Sequence, residues 1–147
     1  MQRGILPDQR ALWDAVSAND TDALGHLLRD GVDPNFTMVE YDQVYDPIFS
    51  RTPLAMAVIL SQEFIVAHLL QYPHIDVNRR VMPFLTCQGY TALDTVLYCL
   101  ERQDDTERRD RLKRIGRMLR DKGGVQVEKL PCRTEKTSRR RRCFFCC

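Results

Sequence analysis

Apolar positions along the first 124 residues keep a helical rather than an alternating spacing. Leu24, Leu27 and Leu28 form one stripe, Ile65, Val66, Leu69 and Leu70 a second, and Leu112, Ile115, Met118 and Leu119 a third. Steps of three and four residues place each set on one face of a helix. Upstream of each stripe lies a shorter apolar segment, around Leu12 and Ala15, Leu54 and Ala57, and Leu93 and Val96. The pattern predicts three pairs of short helices and an all-α fold. None of these helices is long enough to be stable alone in water, so each must bury its stripe against a neighbour.

Residues that start and stop helices stand where the stripes need them. Thr52 can accept from a free backbone N–H, and Pro53 suits a first helical position, where no intrahelical donor is required. Asp20 or Thr21 can start the second helix of the first pair. Gly31 and Gly123 follow second helices, where a positive φ costs glycine little.

The pairs are copies of one template. Arg51-Thr52-Pro53-Leu54-Ala55-Met56-Ala57 recurs, degraded, as Tyr90-Thr91-Ala92-Leu93-Asp94-Thr95-Val96. Laid from Arg10, the spacing of the middle copy meets Leu12, Ala15, Ala23, Leu24, Leu27 and Leu28 without a gap. Laid from Thr91 it meets Leu93 and Val96, but Met118-Leu119 falls ten residues late. An insertion therefore separates the helices of the third unit, with residues 102–110 its expected seat. Gly31-Val32-Asp33-Pro34-Asn35 and Ile75-Asp76-Val77-Asn78 form the turns between units.

These features resemble the ankyrin repeat. Thr52-Pro53-Leu54-x-x-Ala57 is similar to that family's helix-start box, with Ala55 where the family prefers His, and residues 31–35 are similar to its closing turn. The chain departs from the pattern at Arg10-Ala11, at Tyr72-Pro73 and at Thr91-Ala92. The resemblance implies a short helical solenoid of three units, at about residues 8–35, 50–78 and 89–124. Residues 1–7 precede this domain of residues 8–124, and a basic, cysteine-rich tail of residues 125–147 follows it. Three units is about the minimum for such a stack. A repeat of this kind is expected to bind another protein through its hairpins and first helices, as an adaptor, scaffold or inhibitor.

Both connecting hairpins are longer than the family's. The first carries Phe36, Tyr41, Tyr45 and Phe49 among acidic residues, and the second carries Arg79, Arg80 and Phe84. Large aromatics and arginines on loops have the composition of interface anchors, so these seven are the candidate partner-binding residues. The alternative is that the aromatics fold back over the helices. Trp13 is expected in the core, and the mixed-charge run of residues 101–122 is expected as the solvated face of the last helix.

Composition divides the chain. Residues 129–142 hold seven basic side chains against Glu135, a net of +6, which leaves −4 on the first 128 residues of a chain whose total is +2. The hydrophobic share of 44% suffices for a core, yet no apolar run reaches the roughly 20 residues of a membrane helix. The first residues lack a secretory leader's apolar stretch, so the expected location is intracellular. Residues 125–136 read as a linker.

The tail closes on Arg139, Arg140, Arg141 and Arg142, then Cys143, two phenylalanines, Cys146 and Cys147. Each arginine near an anionic leaflet is worth about 1 kcal/mol, and an acyl chain about 0.8 kcal/mol per buried methylene. The combination reads as a tether to the cytoplasmic face of a membrane, with S-acylation of Cys143, Cys146 or Cys147. It also reads as a nuclear import signal or a nucleic-acid patch, or as an inert solvated end. The six cysteines do not resemble a disulfide framework.

Nothing in the sequence marks an enzyme, a cofactor or a metal centre. His26, His68 and His74 lack metal-ligand spacing, no phosphate loop or nucleophile elbow is present, and Asp94 has no sequence partner that would make it a base.

Overall fold

The computed structural model describes residues 5–41, 47–81 and 89–127. In chain order the helices are α1 (Pro7–Ser17), α2 (Thr21–Arg29), α3 (Pro53–Ile59), α4 (Glu63–Gln71), α5 (Ala92–Arg102) and α6 (Thr106–Asp121). Two strands, β1 (Met38–Tyr41) and β2 (Pro47–Arg51), lie between α2 and α3. The described residues are therefore mostly helical with little strand.

Helix starts follow side-chain chemistry. The Thr52 hydroxyl accepts from Ala55 N at 3.1 Å with Pro53 next in line, and Asp20 Oδ1 accepts from Ala23 N at 2.9 Å. Thr91 and Asp94 cap reciprocally, because Asp94 Oδ2 accepts from Thr91 N at 2.9 Å while Thr91 Oγ1 accepts from Asp94 N at 3.3 Å. The first unit differs. Its helix begins at Pro7, ahead of Arg10, and Gln9 Oε1 accepts from Leu6 N at 3.2 Å. Proline at the first position gives up no bond, so α1 gains a turn there.

Helix ends repeat. Asn19 and Ser61 adopt φ of 57° and 55° after α1 and α3. Around Asn19, Ala18 N donates to Asp14 O, Asn19 N to Val16 O and Asp20 N to Ala15 O. The same three bonds recur from Leu60, Ser61 and Gln62 to Met56, Val58 and Ala57. Gly31 and Gly123 hold φ of 88° and 83° after α2 and α6, as their positions predict. Between them α4 ends differently, on Tyr72 in an extended conformation, since the following Pro73 clashes with a helical predecessor.

The helices form two layers. In one, α1 packs on α3 and α3 on α5; in the other, α2 packs on α4 and α4 on α6. Each unit's two helices also pack together. Between the layers lie Leu12, Val16, Leu24, Val58, Ile65, Leu69, Val96, Leu112, Ile115 and Leu119, all fully buried. These are the predicted stripe residues or their immediate neighbours, with Leu27, Leu28 and Met118 partly buried at the margin.

A repeated side-chain stitch joins successive units. Asn35 Nδ2 donates to His74 O at 2.7 Å, while its Oδ1 accepts from Asp76 N at 2.7 Å. Asn78 does the same one unit on, donating to Gly123 O at 3.0 Å and accepting from Val125 N at 2.8 Å. A primary amide suits this position because it carries a donor and an acceptor side by side. At the corresponding place in the third unit stands Val127, which has no such group.

The third-unit insertion is helical rather than looped. α5 has 11 residues against 7 in α3, and α6 has 16 against 9 in α4. Only residues 103–105 separate α5 from α6. The extra first turn of α6 brings two arginines to open helix ends. Arg108 donates to Ile59 O at 2.8 Å and to Ser61 Oγ at 2.9 Å, and Arg109 donates to Leu100 O at 3.1 Å and Gln103 O at 3.0 Å. Unpaired carbonyls at helix C-termini attract cations, so these two residues belong to the packing and not to the solvated face expected for the run.

The linker reading also fails for its first residues. Thr91 Oγ1 lies 2.8 Å from Val125 O, and Val127 N donates to Asp94 Oδ2 at 2.9 Å. Residues 125–127 are thereby bound to the first turn of α5. The tail beyond them lies outside the described residues.

Candidate interaction surface

The first expanded hairpin is a paired ribbon. β1 and β2 run antiparallel with Met38 opposite Arg51, Val39 opposite Ser50, Glu40 opposite Phe49 and Tyr41 opposite Pro47, and an irregularity falls between Glu40 and Tyr41. β-Branched and aromatic residues favour such pairing, and Pro47 tolerates the first place in a strand. Met38 is buried and anchors the base of the ribbon in the core.

Phe36 is the clear correction among the candidate anchors. It is only 8% exposed, and its ring lies 6.5 Å from that of Trp13, tilted by 56°. It packs against Trp13 of α1 instead of facing solvent, because two rings in contact remove apolar surface from water that either would expose alone. Trp13 is buried, as expected.

The other candidates divide. Tyr41 and Phe49 sit on the paired strands, although their side chains lie outside the described part. Tyr45 and Phe84 lie outside the described residues, as do Cys143, Cys146, Cys147 and Arg139, Arg140, Arg141 and Arg142. Arg79 is exposed at the start of the second hairpin, and Arg80 is half-buried and engaged. That hairpin is closed at its base by Val81 and Tyr90, which exchange two backbone bonds of 2.8 Å.

Exposed apolar residues appear elsewhere. Tyr98 on α5 is 55% exposed, with the Arg102 guanidinium 3.8 Å from its ring centroid. Leu60, at the end of α3, and Phe64, on α4, are also exposed. Tyr98 was findable in the sequence. Asp94, Tyr98 and Arg102 are four residues apart, so they share one stripe of α5, and Leu93 and Val96 already claim the buried side.

The titratable side chains do structural work. Both backbone donors near Asp94, Thr91 N and Val127 N, go to its Oδ2. His68 Nδ1 lies 2.9 Å from Phe64 O, and His26 Nδ1 lies 3.1 Å from an Arg29 nitrogen. Burial pushes the half-buried thiol of Cys99 above its ordinary value, while Arg108 and then Arg102 pull it down. On the outer layer Arg114 Nε bridges both Glu63 oxygens at 2.9 and 3.0 Å, and this bond raises the guanidinium further above its ordinary value. Among the described residues no three or more His, Cys, Asp or Glu gather as a metal site, and no helix is long and apolar enough to cross a membrane. No protein-family model matches the chain, and no curated protein matches it.

Proposed function

We propose that this chain is an ankyrin-like repeat protein of three units that recognises another protein through its hairpins and first helices. The observation that carries the reading is the repeated amide stitch of Asn35 and Asn78 together with the two helix layers. A stack of this kind gains stability from each unit's neighbours, which leaves the hairpins and the outer side of the first helices to vary for binding. The fold alone does not select a partner.

Under this reading the ribbon and the exposed Arg79 form the partner-facing edge. Tyr41→Ala with Phe49→Ala, and separately Arg79→Glu, should cut recovery of a bound protein from cell extract by about tenfold, the effect of losing a good anchor. Thermal unfolding should stay nearly unchanged. Equal recovery by wild type and both variants would end the interface assignment, and a large fall in stability would reassign the two aromatics to the core.

The tail is proposed as the membrane tether. Replacing Cys143, Cys146 and Cys147 by Ser should move the protein into the soluble fraction. An unchanged distribution discards acylation. Loss of nuclear accumulation on replacing Arg139, Arg140, Arg141 and Arg142 would assign the arginines to import instead.

A further inference from the structure

We propose that residues 129–133 of this chain dock in cis along the exposed stripe of α5 and cover Tyr98. The starting point is where the chain leaves the described domain. Val125 O meets Thr91 and Val127 N meets Asp94, so the backbone is already laid on the first turn of α5. Asp94, Tyr98, Glu101 and Arg102 lie at helical steps of four, three and one residues and form one continuous stripe. The chain therefore emerges at the head of a helix face whose central residue is an exposed aromatic ring.

Distances match along the stripe. At a rise of 1.5 Å per residue, Tyr98 lies about 6 Å beyond Asp94, and Glu101 about 10 Å beyond it. An extended chain covers up to about 3.3–3.6 Å per residue, so Leu130 and Pro131 reach the ring within three or four residues of Val127. Arg133, six residues from Val127, spans about 20 Å and reaches the far end of α5. There Glu101, Asp104 and Asp105 are all exposed.

Charge fits as well. The net of +6 on residues 129–142 is opposite in sign to the −4 of the first 128 residues, and at the end of the stripe Glu101, Asp104 and Asp105 outnumber Arg102, so Arg133 can be neutralised there. One ring face of Tyr98 is held by Arg102, which leaves the other for Leu130 and Pro131. A protein bound over Tyr98 would have to displace this segment. The contact itself does not depend on any partner.

The test uses the full chain with Tyr98 replaced by the photoreactive p-benzoylphenylalanine, irradiated as a dilute monomer at low salt. Peptide mass spectrometry should find an intramolecular cross-link to residues 129–133. Glu101→Lys combined with Asp104→Lys should lower that yield severalfold, as should raising salt to about 0.5 M, where exposed charges are screened within a few ångströms. Circular dichroism confirms that each variant is folded. Cross-links only between copies, cross-links elsewhere, or a yield indifferent to both charge reversal and salt would overturn the proposal.

Discussion

Asn78→Ala tests the stitch on which the stacking argument rests. The substitution removes a donor from Gly123 O, at an exposed site, and an acceptor from Val125 N, at a partly buried one. The exposed carbonyl can turn to water, so its loss costs about 0.5–1 kcal/mol, the net worth of an ordinary hydrogen bond. The Val125 N–H is less able to recover, and an unsatisfied, partly buried donor costs about 1–2 kcal/mol. Together the variant should lose about 2 kcal/mol. For a chain of 147 residues that corresponds to a fall in Tm of about 4–8 °C. Urea unfolding followed by circular dichroism measures the loss, provided the transition is two-state. Asn78→Asp keeps the acceptor for Val125 but sets a carboxylate against the Gly123 carbonyl, so it should not recover wild-type stability. Asn35→Ala should cost somewhat less, about 1–2 kcal/mol, because both of its bonds are exposed. A loss below about 0.5 kcal/mol for Asn78→Ala, within the scatter of ordinary surface changes, would refute the idea that these amides hold the units in register.

Three further outcomes follow from the packing. Phe36→Ala should cost about 3–5 kcal/mol by urea unfolding, whereas Phe64→Ala, at a residue 74% exposed, should stay within about 0.5 kcal/mol; equal effects would remove Phe36 from the core. Arg108→Ala should lose about 1–3 kcal/mol through the Ile59 carbonyl and the Ser61 hydroxyl, and the exposed Arg117→Ala almost nothing, so matched losses would return Arg108 to the solvated face. Burial raises the folded-state pKa of Cys99 above its ordinary 9.0, so its contribution to stability is present below that value and fades as pH rises through the folded one. Peptide-resolved alkylation should show the rate at Cys99 inflecting above 9.0, and an inflection at or below that value contradicts the burial.

Much of the helical plan could be read from local residues. Thr52 caps the helix it was expected to cap, Asp20 is the one of the pair Asp20 and Thr21 that caps α2, and Gly31 and Gly123 take the positive φ expected of them. Leu70 and Leu119 are buried and Leu28 is partly so. Such features depend on neighbours within a few residues, where propensity and capping act. The template also located the insertion of ten residues to within a turn, but it left their conformation open. Two helices absorbed them, because a charged run with good helix formers loses little by continuing.

The candidate surface was less legible. Phe36 and an exposed interface aromatic look alike in a sequence, since both follow a turn and precede a strand. Their difference is whether Trp13 waits on the other side. Tyr98 lies on a helix and not on a hairpin, and its spacing from Asp94 already set it on the open side of α5.

By itself the amino-acid order determined which segments coil, where they start and stop, and which stripe each must hide. Tertiary structure alone decided what hides it, and which distant polar groups meet. Asn35 finds Asp76, Asn78 finds Val125, and Arg108 finds Ile59 across separations of 41, 47 and 49 residues. A stripe's period follows from backbone geometry one turn at a time, whereas such long-range pairings exist only after the layers close.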